Sequence, residues 1–304
     1  MGRRIRVFPR LFLVSVLLLL PLRAASGASA GEGEGGLSLP QGGLLLLLLP
    51  EKAPVRALSF DGRRISLFPW KEEGRSGEPH RFMAALLGVD FSRSPGRLRL
   101  DLDRSDGKIE QHLLRVTPRS FQVSRLTVAR SFVTPPASLL ARLRRERRTI
   151  ALALSPPDAP LRFHRPFMAP LEGKVTHDFG AYRFLNGHPM ARHSGEDIDV
   201  PQGTPVRAAN DGVVRLTGSF YYDGNMVILD HGGGLLTEYL HMSDIRVRPG
   251  ERVRRGQVVG HVGHTGRVTG PVLHYGAVLH GAHVNPMLLP GLLSGAVTLG
   301  GGKH

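Results

Sequence analysis

Gly224-Asn225-Met226-Val227-Ile228-Leu229-Asp230-His231-Gly232 is the stretch that decides the class of fold, and Thr237-Glu238-Tyr239-Leu240-His241 follows it closely. Both are short runs rich in apolar residues, and glycines divide them from their neighbours. Short apolar runs between turn signals predict strands rather than helices. From about Phe163 onward we therefore expect a β-rich domain of many short strands.

The same kind of pattern extends toward the amino terminus. Leu44–Leu49 is a run of six leucines, which is the length of a strand and too short for a helix. Arg97–Asp103 alternates apolar and charged residues, Ser105-Asp106-Gly107 supplies a turn, and Ile109–Val116 returns. This order predicts a β-hairpin. We expect residues 31–134 to form a small antiparallel, sandwich-like β domain, so that the whole fold is mostly β.

A short helical linker is predicted between the two β regions, over residues 135–160. Thr134 is the expected N-cap, with Pro135 and Pro136 in the first turn. The apolar residues that could share one helix face are Leu139, Leu140, Leu143 and Ile150. The arginines on the remainder are Arg142, Arg144, Arg145, Arg147 and Arg148. Such a run either docks on an anionic polymer or forms a solvated face.

Residues 1–30 have the three-part pattern of a secretory signal peptide. Four arginines within the first ten residues precede the apolar run Leu11–Leu22, and the small-residue stretch Ala24–Ala30 follows. The alternative is an uncleaved anchor, although a membrane span needs roughly 20 apolar residues. We expect Sec export to the periplasm or cell envelope, with membrane contact only through this segment if it is uncleaved.

The composition of the chain limits the partners and the metal ligands that it can use. The formal net charge is +15, of which five positive charges belong to arginines in residues 1–30. This excess of positive charge has two interpretations. A basic surface favours binding to anionic partners, whereas arginines can also serve only to keep the protein surface solvated. Export makes nucleic acid a poor partner. Because the chain has no cysteine, disulfides are excluded and a metal site must use histidine and carboxylate.

One segment brings two metal-type ligands close together. His193 and Asp197 are four residues apart, with Gly195 between them. On an extended segment, side chains at even spacing point to the same side. Imidazole nitrogen and carboxylate oxygen are both zinc donors. The pair alone occurs by chance in many proteins, so its surroundings have to support it.

Several further blocks provide that support, and they follow in a fixed order. They are Gly203–Val214, Gly224–Gly232, Thr237–His241, Val253–Gly260, Thr265-Gly266 and Thr269–Tyr275. In order and spacing these blocks resemble the catalytic domain of the lysostaphin-like peptidases, also called the LytM or M23 family. The resemblance runs from about Pro170 to Pro286 and implies a lysostaphin-like antiparallel β peptidase domain within residues 161–304. The preceding β domain resembles the amino-terminal domain that accompanies this peptidase in many Gram-negative envelope proteins.

The resemblance implies a site. By position, His193, Asp197 and His274 become the ligands of one Zn²⁺ per chain, and His241 becomes a catalytic histidine. Three protein ligands are typical of a catalytic rather than a structural zinc. One position departs from the family pattern: Val272 stands where the first histidine of a His-x-His motif is expected. On a strand, Val272 and His274 share a face, so valine methyl groups should replace an imidazole.

The remaining histidines receive simpler interpretations. His231 is expected to be structural. One of four histidines close to the motif is a candidate to replace the lost imidazole: His261, His264, His280 and His283. Four more are expected on the surface or in loops: His164, His177, His188 and His304.

Two functions therefore compete. The first is a zinc metalloendopeptidase that hydrolyses peptide cross-links or stem peptides of peptidoglycan, with activity reduced by Val272. The second is a zinc-binding but weak or inactive regulator of other wall hydrolases, or a peptidoglycan binder. The partners expected are peptidoglycan peptides and, for the regulator, other wall hydrolases. A biotinyl or lipoyl carrier is excluded, because the Val253–Gly260 hairpin lacks the lysine that would be modified.

Overall fold

A computed structural model describes residues 36–51, 54–73, 79–155 and 159–299 of the chain. Strands dominate it, which confirms the expected mostly β class. The predicted signal segment, residues 1–30, lies outside the described residues. Among the residues described, no helix combines the length and the hydropathy that a membrane span requires.

In the described part of the chain, nine strands precede the helical region. They are β1 (Leu37–Pro40), β2 (Leu44–Pro50), β3 (Val55–Phe60), β4 (Arg63–Ile65), β5 (Phe68–Glu73), β6 (Pro79–Gly88), β7 (Gly96–Arg104), β8 (Ile109–Thr117) and β9 (Val123–Leu126). One sheet has the order β1-β8-β7-β3-β4, and a second contains β2-β6-β5. The pair β7–β8 is the antiparallel hairpin that the alternating sequence predicts. The pair β1–β8 is parallel, so this half is not purely antiparallel.

The leucines of β2 are buried on both faces of their sheet. Leu45, Leu47 and Leu49 enter the core between the two amino-terminal sheets. The leucines at the even positions, 44, 46 and 48, enter a second core that also contains residues of the carboxy-terminal sheet. Side chains alternate along a strand, so a continuous apolar run is what a strand between two cores requires.

The helical region differs from the prediction in where the helix starts. It contains α1 (Arg130–Val133), a 3₁₀ turn at Ala137–Leu139 and α2 (Leu140–Ala153). Thr134 follows α1 and is not the cap of α2; its backbone N–H donates to the carbonyl of Arg130. Proline disfavours the helical conformation in the residue before it, and Pro136 is itself extended with ψ 147°.

The predicted apolar face of the helix is only partly correct. Leu143 is buried and Ile150 packs against a small core with Ala153, but Leu140 is 43% exposed. The five arginines are all exposed, which matches the solvated-face interpretation. Arg142 also forms an i,i+4 ion pair with Glu146.

The carboxy-terminal half is built on one ten-stranded sheet. The elements of this half are β10 (Lys174–His177), β11 (Tyr182–Leu185), β12 (His188–Pro189), β13 (Gly195–Asp199), β14 (Pro205–Arg207), β15 (Gly212–Phe220), β16 (Gly224–Asp230), β17 (Leu235–Ile245), β18 (Arg252–Val253), β19 (Val258–Val262), β20 (Leu273–Leu279), β21 (Ala282–Val284), a 3₁₀ helix (Pro286–Gly291) and β22 (Val297–Thr298). All of these strands except β11, β12 and β22 belong to the ten-stranded sheet. The main path through the sheet is β10-β13-β20-β17-β16-β15-β18, and its pairs are antiparallel.

Two parallel strand pairs connect the halves. β22, near the end of the chain, extends the amino-terminal sheet by pairing with β2. β9, from the amino-terminal half, pairs with β11 of the carboxy-terminal half. The domain boundaries at residues 134/135 and 160/161 stay a prediction, because strands and one core are shared across them.

Candidate metal centre

Strand register places two of the three expected ligands side by side. β13 pairs with β20 so that Asp197 lies opposite His274 and Ile198 lies opposite Leu273. Ile198 and Leu273 are both buried in the main core. Because successive side chains alternate, Asp197 and His274 point together to the other face of the sheet.

His193 completes the trio from the loop before β13. Its backbone is fixed at both groups, since its N–H donates to the Ala181 carbonyl at 2.9 Å and its carbonyl accepts from Gly180 at 2.7 Å. The His193 Nδ1–H donates to the Asp178 carbonyl at 3.1 Å. This bond leaves Nε2 as the nitrogen available to a metal.

The three donor atoms form a compact triangle. His193 Nε2 lies 3.0 Å from Asp197 Oδ1 and 2.9 Å from His274 Nδ1, and the last two atoms are 2.9 Å apart. Ligands about 2.0–2.1 Å from a shared tetrahedral zinc lie roughly 3.3 Å from one another. The separations therefore suit one small cation, and all three side chains are buried.

The protonation states suit a metal as well. Burial alone would raise the pKa of Asp197, but His193 and His274 beside it hold the pKa well below its ordinary value. Burial also lowers the pKa of His274. An anionic carboxylate beside a neutral imidazole is the state in which both groups ligate metals. The donor set thus fits the expected zinc.

Two neighbouring residues shape this triangle. Arg183 Nη2 donates to Asp197 Oδ2 at 2.7 Å, which engages the carboxylate oxygen that is not part of the triangle. A Cβ at Gly195 would lie 2.7 Å from His274 Nε2 and 2.4 Å from the Tyr275 carbonyl. Glycine is required there because any side chain would displace the ligand His274.

His241 lies beside the triangle with a fixed tautomer. Its ring centroid is 6.2 Å from that of His274. Its Nδ1–H donates to the Thr265 carbonyl at 2.9 Å, and its backbone N–H donates to the Asp223 carbonyl at 3.0 Å. Burial lowers the pKa of His241 to about 3, so the imidazole is neutral and Nε2 carries a lone pair. Its φ of 66° is rare outside glycine and marks a backbone held by its surroundings.

Comparison with known proteins identifies the domain that carries this site. Residues 191–286 match the sequence profile described as peptidase family M23. The chain contains an M23 peptidase domain. All three expected zinc ligands and His241 lie inside the matched range.

Named relatives match about a third of the chain. The peptidoglycan DD-endopeptidase ShyA of Vibrio cholerae is 47% identical over 104 residues, which are 33% of this chain and 24% of ShyA. The DD-carboxypeptidase/endopeptidase Mpg of Neisseria meningitidis is 47% identical over 38% of this chain and 26% of Mpg. The chain thus spans about a quarter of the length of these relatives.

A solved structure extends the likeness to both halves. The crystal structure of a putative M23 peptidase from Pseudomonas aeruginosa has a TM-score of 0.65 and 28% identity. The match covers 83% of this chain and 95% of that one. The amino-terminal β region therefore has a counterpart beside the M23 domain of another protein.

A cleft of about 230 Å³ opens beside the triangle of donor atoms, with Asp197 and His241 in its lining. Its lining residues are Leu126, Val128, His177, Arg183, Leu185, Asp197, Asp199, His241, Arg267, Val268, Thr269, Gly270, Pro271 and Val272. Val272 is one of the lining residues, together with Asp197 and His241. Leu126 and Val128 belong to the predicted amino-terminal domain, so this region contributes a wall of the cleft.

The four candidate replacement histidines lie elsewhere, and none lines this cleft. His261 Nδ1 lies 2.7 Å from Asp244 Oδ1, and His264 Nδ1 lies 2.9 Å from Gln202 Oε1. His283 packs against Phe91, and His280 packs near Gly234. His231 is fully buried and bonds the Asp211 carbonyl and Thr237 Oγ1, which is the structural role expected of it.

Three residues that line the cleft are not predicted by the sequence. His177, expected at the surface, ends β10 in the cleft with Nδ1 3.7 Å from Asp197 Oδ2. Arg183 and Arg267 are the cationic side chains of the lining. Their types are common on surfaces and no local spacing marks them, so the signal appears only when β10, β11 and the loop after β19 come together.

Proposed function

We propose that the protein is a zinc-dependent endopeptidase that hydrolyses peptide bonds of peptidoglycan in the cell envelope. The observation that carries the proposal is the buried triangle of His193, Asp197 and His274 with neutral His241 beside it. The activities given in the names of the relatives ShyA and Mpg support peptidoglycan as the proposed substrate. Export through residues 1–30 is part of the same proposal.

The mechanism divides the chemistry among the side chains present. His193, Asp197 and His274 would hold the zinc, which when bound polarises the scissile carbonyl and makes water more acidic. Nε2 of His241 accepts a proton or, once protonated, donates a hydrogen bond to the developing oxyanion. The Thr265 carbonyl keeps the His241 ring in the tautomer that this role needs. Arg183 keeps Asp197 oriented.

A second function is favoured by one specific observation. Val272 offers no hydrogen bond where an imidazole is expected. Of the described histidines, only His177 and His241 line the cleft. A protein that binds peptidoglycan or regulates another wall hydrolase would need the cleft but not the missing donor. Digestion of peptidoglycan separates the two functions.

The test is digestion of purified peptidoglycan by the zinc-loaded mature protein, with the products resolved by mass. We expect new cross-link fragments, and the matched variant His241→Ala should retain zinc but lose about 10²–10⁴-fold in rate. Fragments released equally by wild type and His241→Ala would contradict the role of His241. No fragments from the wild type on any peptidoglycan would favour the regulator.

A further inference from the structure

Arg267 is a cationic side chain in the lining of the cleft beside the His193–Asp197–His274 triangle, and it forms no ion pair with a described residue. It lines the same cleft as Asp197, His241 and Val272. Among the residues that the structure describes, its guanidinium forms no ion pair and no side-chain hydrogen bond. The nearby carboxyl of Asp223 attracts it electrostatically but lies beyond ion-pair distance. The donors of Arg267 are therefore available to a ligand.

The other charges of the cleft are already engaged. Arg183 is tied to Asp197 at 2.7 Å, and Asp197 belongs to the proposed metal ligands. Asp199 accepts a hydrogen bond from Thr176 Oγ1 at 3.2 Å. Two arginines balance two aspartates in the lining, so a bound divalent cation would leave the cleft with an excess of about two positive charges. An anionic ligand suits such a cleft.

Arg267 is also held in place before a ligand arrives. Its guanidinium carbon lies 4.5 Å from the centroid of the Tyr222 ring, and its backbone N–H donates to the Tyr222 carbonyl at 2.8 Å. Stacking and a fixed backbone reduce the entropy that a flexible arginine would lose on binding.

The loop that holds Arg267 is the one that holds His241. Thr265 accepts the His241 ring N–H through its carbonyl and donates through Oγ1 to the Met242 carbonyl at 2.8 Å. A Cβ at Gly266, where φ is 78°, would lie 2.4 Å from the backbone nitrogen of Gly224, so the loop is packed tightly. A group bound by Arg267 is thus positioned relative to His241.

We propose that Arg267 binds a free carboxylate of the substrate next to the scissile amide. The planar guanidinium matches a carboxylate with two parallel hydrogen bonds, and such charged pairs are stronger than neutral ones. The inference rests on the proposed function and selects among its substrates. Carboxylate-bearing stem-peptide cross-links are cleaved, and neutral oligoglycine bridges and amidated stems are poor substrates.

The experiment compares three synthetic probes with the zinc-loaded mature protein. The first is a cross-linked stem-peptide dimer with a free carboxylate beside the scissile amide, the second is its carboxamide analogue, and the third is pentaglycine. We expect kcat/KM for the carboxylate peptide to exceed that for the carboxamide by about 10–100-fold, the effect of a hydrogen-bonded charge. Arg267→Gln should reduce this ratio to near one, and Arg267→Lys should give an intermediate ratio.

The matched control is Arg248→Gln, which removes an exposed arginine outside the cleft and should leave the ratio unchanged. Binding is measured separately by fluorescence anisotropy of the labelled carboxylate and carboxamide peptides on the His241→Ala background, with and without Arg267→Gln. Preference for the carboxylate should disappear with Arg267.

The outcomes separate the two proposals. If the wild type cleaves neither the peptides nor peptidoglycan, the proposed function is wrong, and the anisotropy still decides whether Arg267 selects a carboxylate. Equal binding and cleavage of carboxylate and carboxamide would overturn the inference alone. So would a preference that survives Arg267→Gln, or faster cleavage of pentaglycine than of the carboxylate peptide.

Discussion

Asp197 and His274 each contribute one donor atom to a triangle of only three, so neither can be replaced from within the site. Asp197→Ala and His274→Ala leave two donors, which are too few for a tight tetrahedral zinc site. We expect about one zinc per chain in the wild type and a sharp loss in both variants. Metal content by mass spectrometry checks this; His188→Ala, which removes an exposed histidine, is the control. Unchanged zinc in both ligand variants would exclude the assignment.

Val272 is the residue at which the cleft lacks a polar group. Val272→His adds an imidazole to the wall that contains His241, and one oxyanion or proton-transfer partner contributes about 10²–10³-fold. We expect faster hydrolysis of peptidoglycan peptides, by up to roughly 10²-fold, at unchanged zinc content.

The control for this variant is Val268→His, which adds an imidazole elsewhere in the same cleft. A similar gain in both variants would mean that the position is unimportant. No gain from Val272→His on any peptidoglycan, together with an inactive wild type, would leave regulation as the better function.

At the scale of elements, β2 is the strand on which both cores depend. Leu46 and Leu47 are fully buried on opposite faces of one sheet, the first in the shared core and the second in the amino-terminal core. Leu46→Ala and Leu47→Ala should each lower the free energy of unfolding by about 2–5 kcal/mol, because each leaves a cavity.

Denaturant unfolding measures these two variants against Leu152→Ala. Leu152 is 62% exposed on α2, so its truncation should change stability by less than about 0.5 kcal/mol. A cost for only one of the two β2 variants would contradict the double burial of the strand.

The proposed metal site depends on elements that are distant in sequence. β13 and β20 supply Asp197 and His274 through one register, and a shift of β13 by one residue would turn Asp197 into the core and away from His274. The loop after β19 then supplies Thr265, which fixes His241. The relative positions of these side chains therefore depend on the pairing of β13 with β20 and on the loop after β19.

At the scale of the whole molecule, His231 makes stability depend on pH. It is fully buried, its carbonyl accepts from Arg162 of the preceding segment, and burial lowers its pKa to about 4. Between about pH 6.5 and pH 4 the unfolded chain binds a proton that the folded chain does not, so stability falls as the pH falls.

We expect His231 to account for a loss of roughly 3 kcal/mol over that window. His231→Asn should be less stable at pH 7, because it loses the bonds to Asp211 and Thr237, and its stability should fall less on acidification. Urea unfolding at several pH values, with metal chelated in both proteins, tests this. Parallel curves for the two proteins would contradict it.

The sequence by itself determined the β class, the β7–β8 hairpin, the leucine strand and the spacing of His193, Asp197 and His274. These features are local, because side-chain alternation and turn chemistry act over a few residues. Val272 precedes β20 and stays a prediction as the position at which the site lacks an imidazole.

Only the tertiary structure decided what surrounds those residues. The alternation of side chains along a strand does not show that β2 lies between two cores. Because of Pro135 and Pro136, α2 begins after Thr134 and not at it. His177, Arg183 and Arg267 enter the cleft because segments far apart in the chain pack together there. The physical reason is that burial and electrostatic fields depend on distances in space, which strand pairing between remote segments sets and local sequence does not.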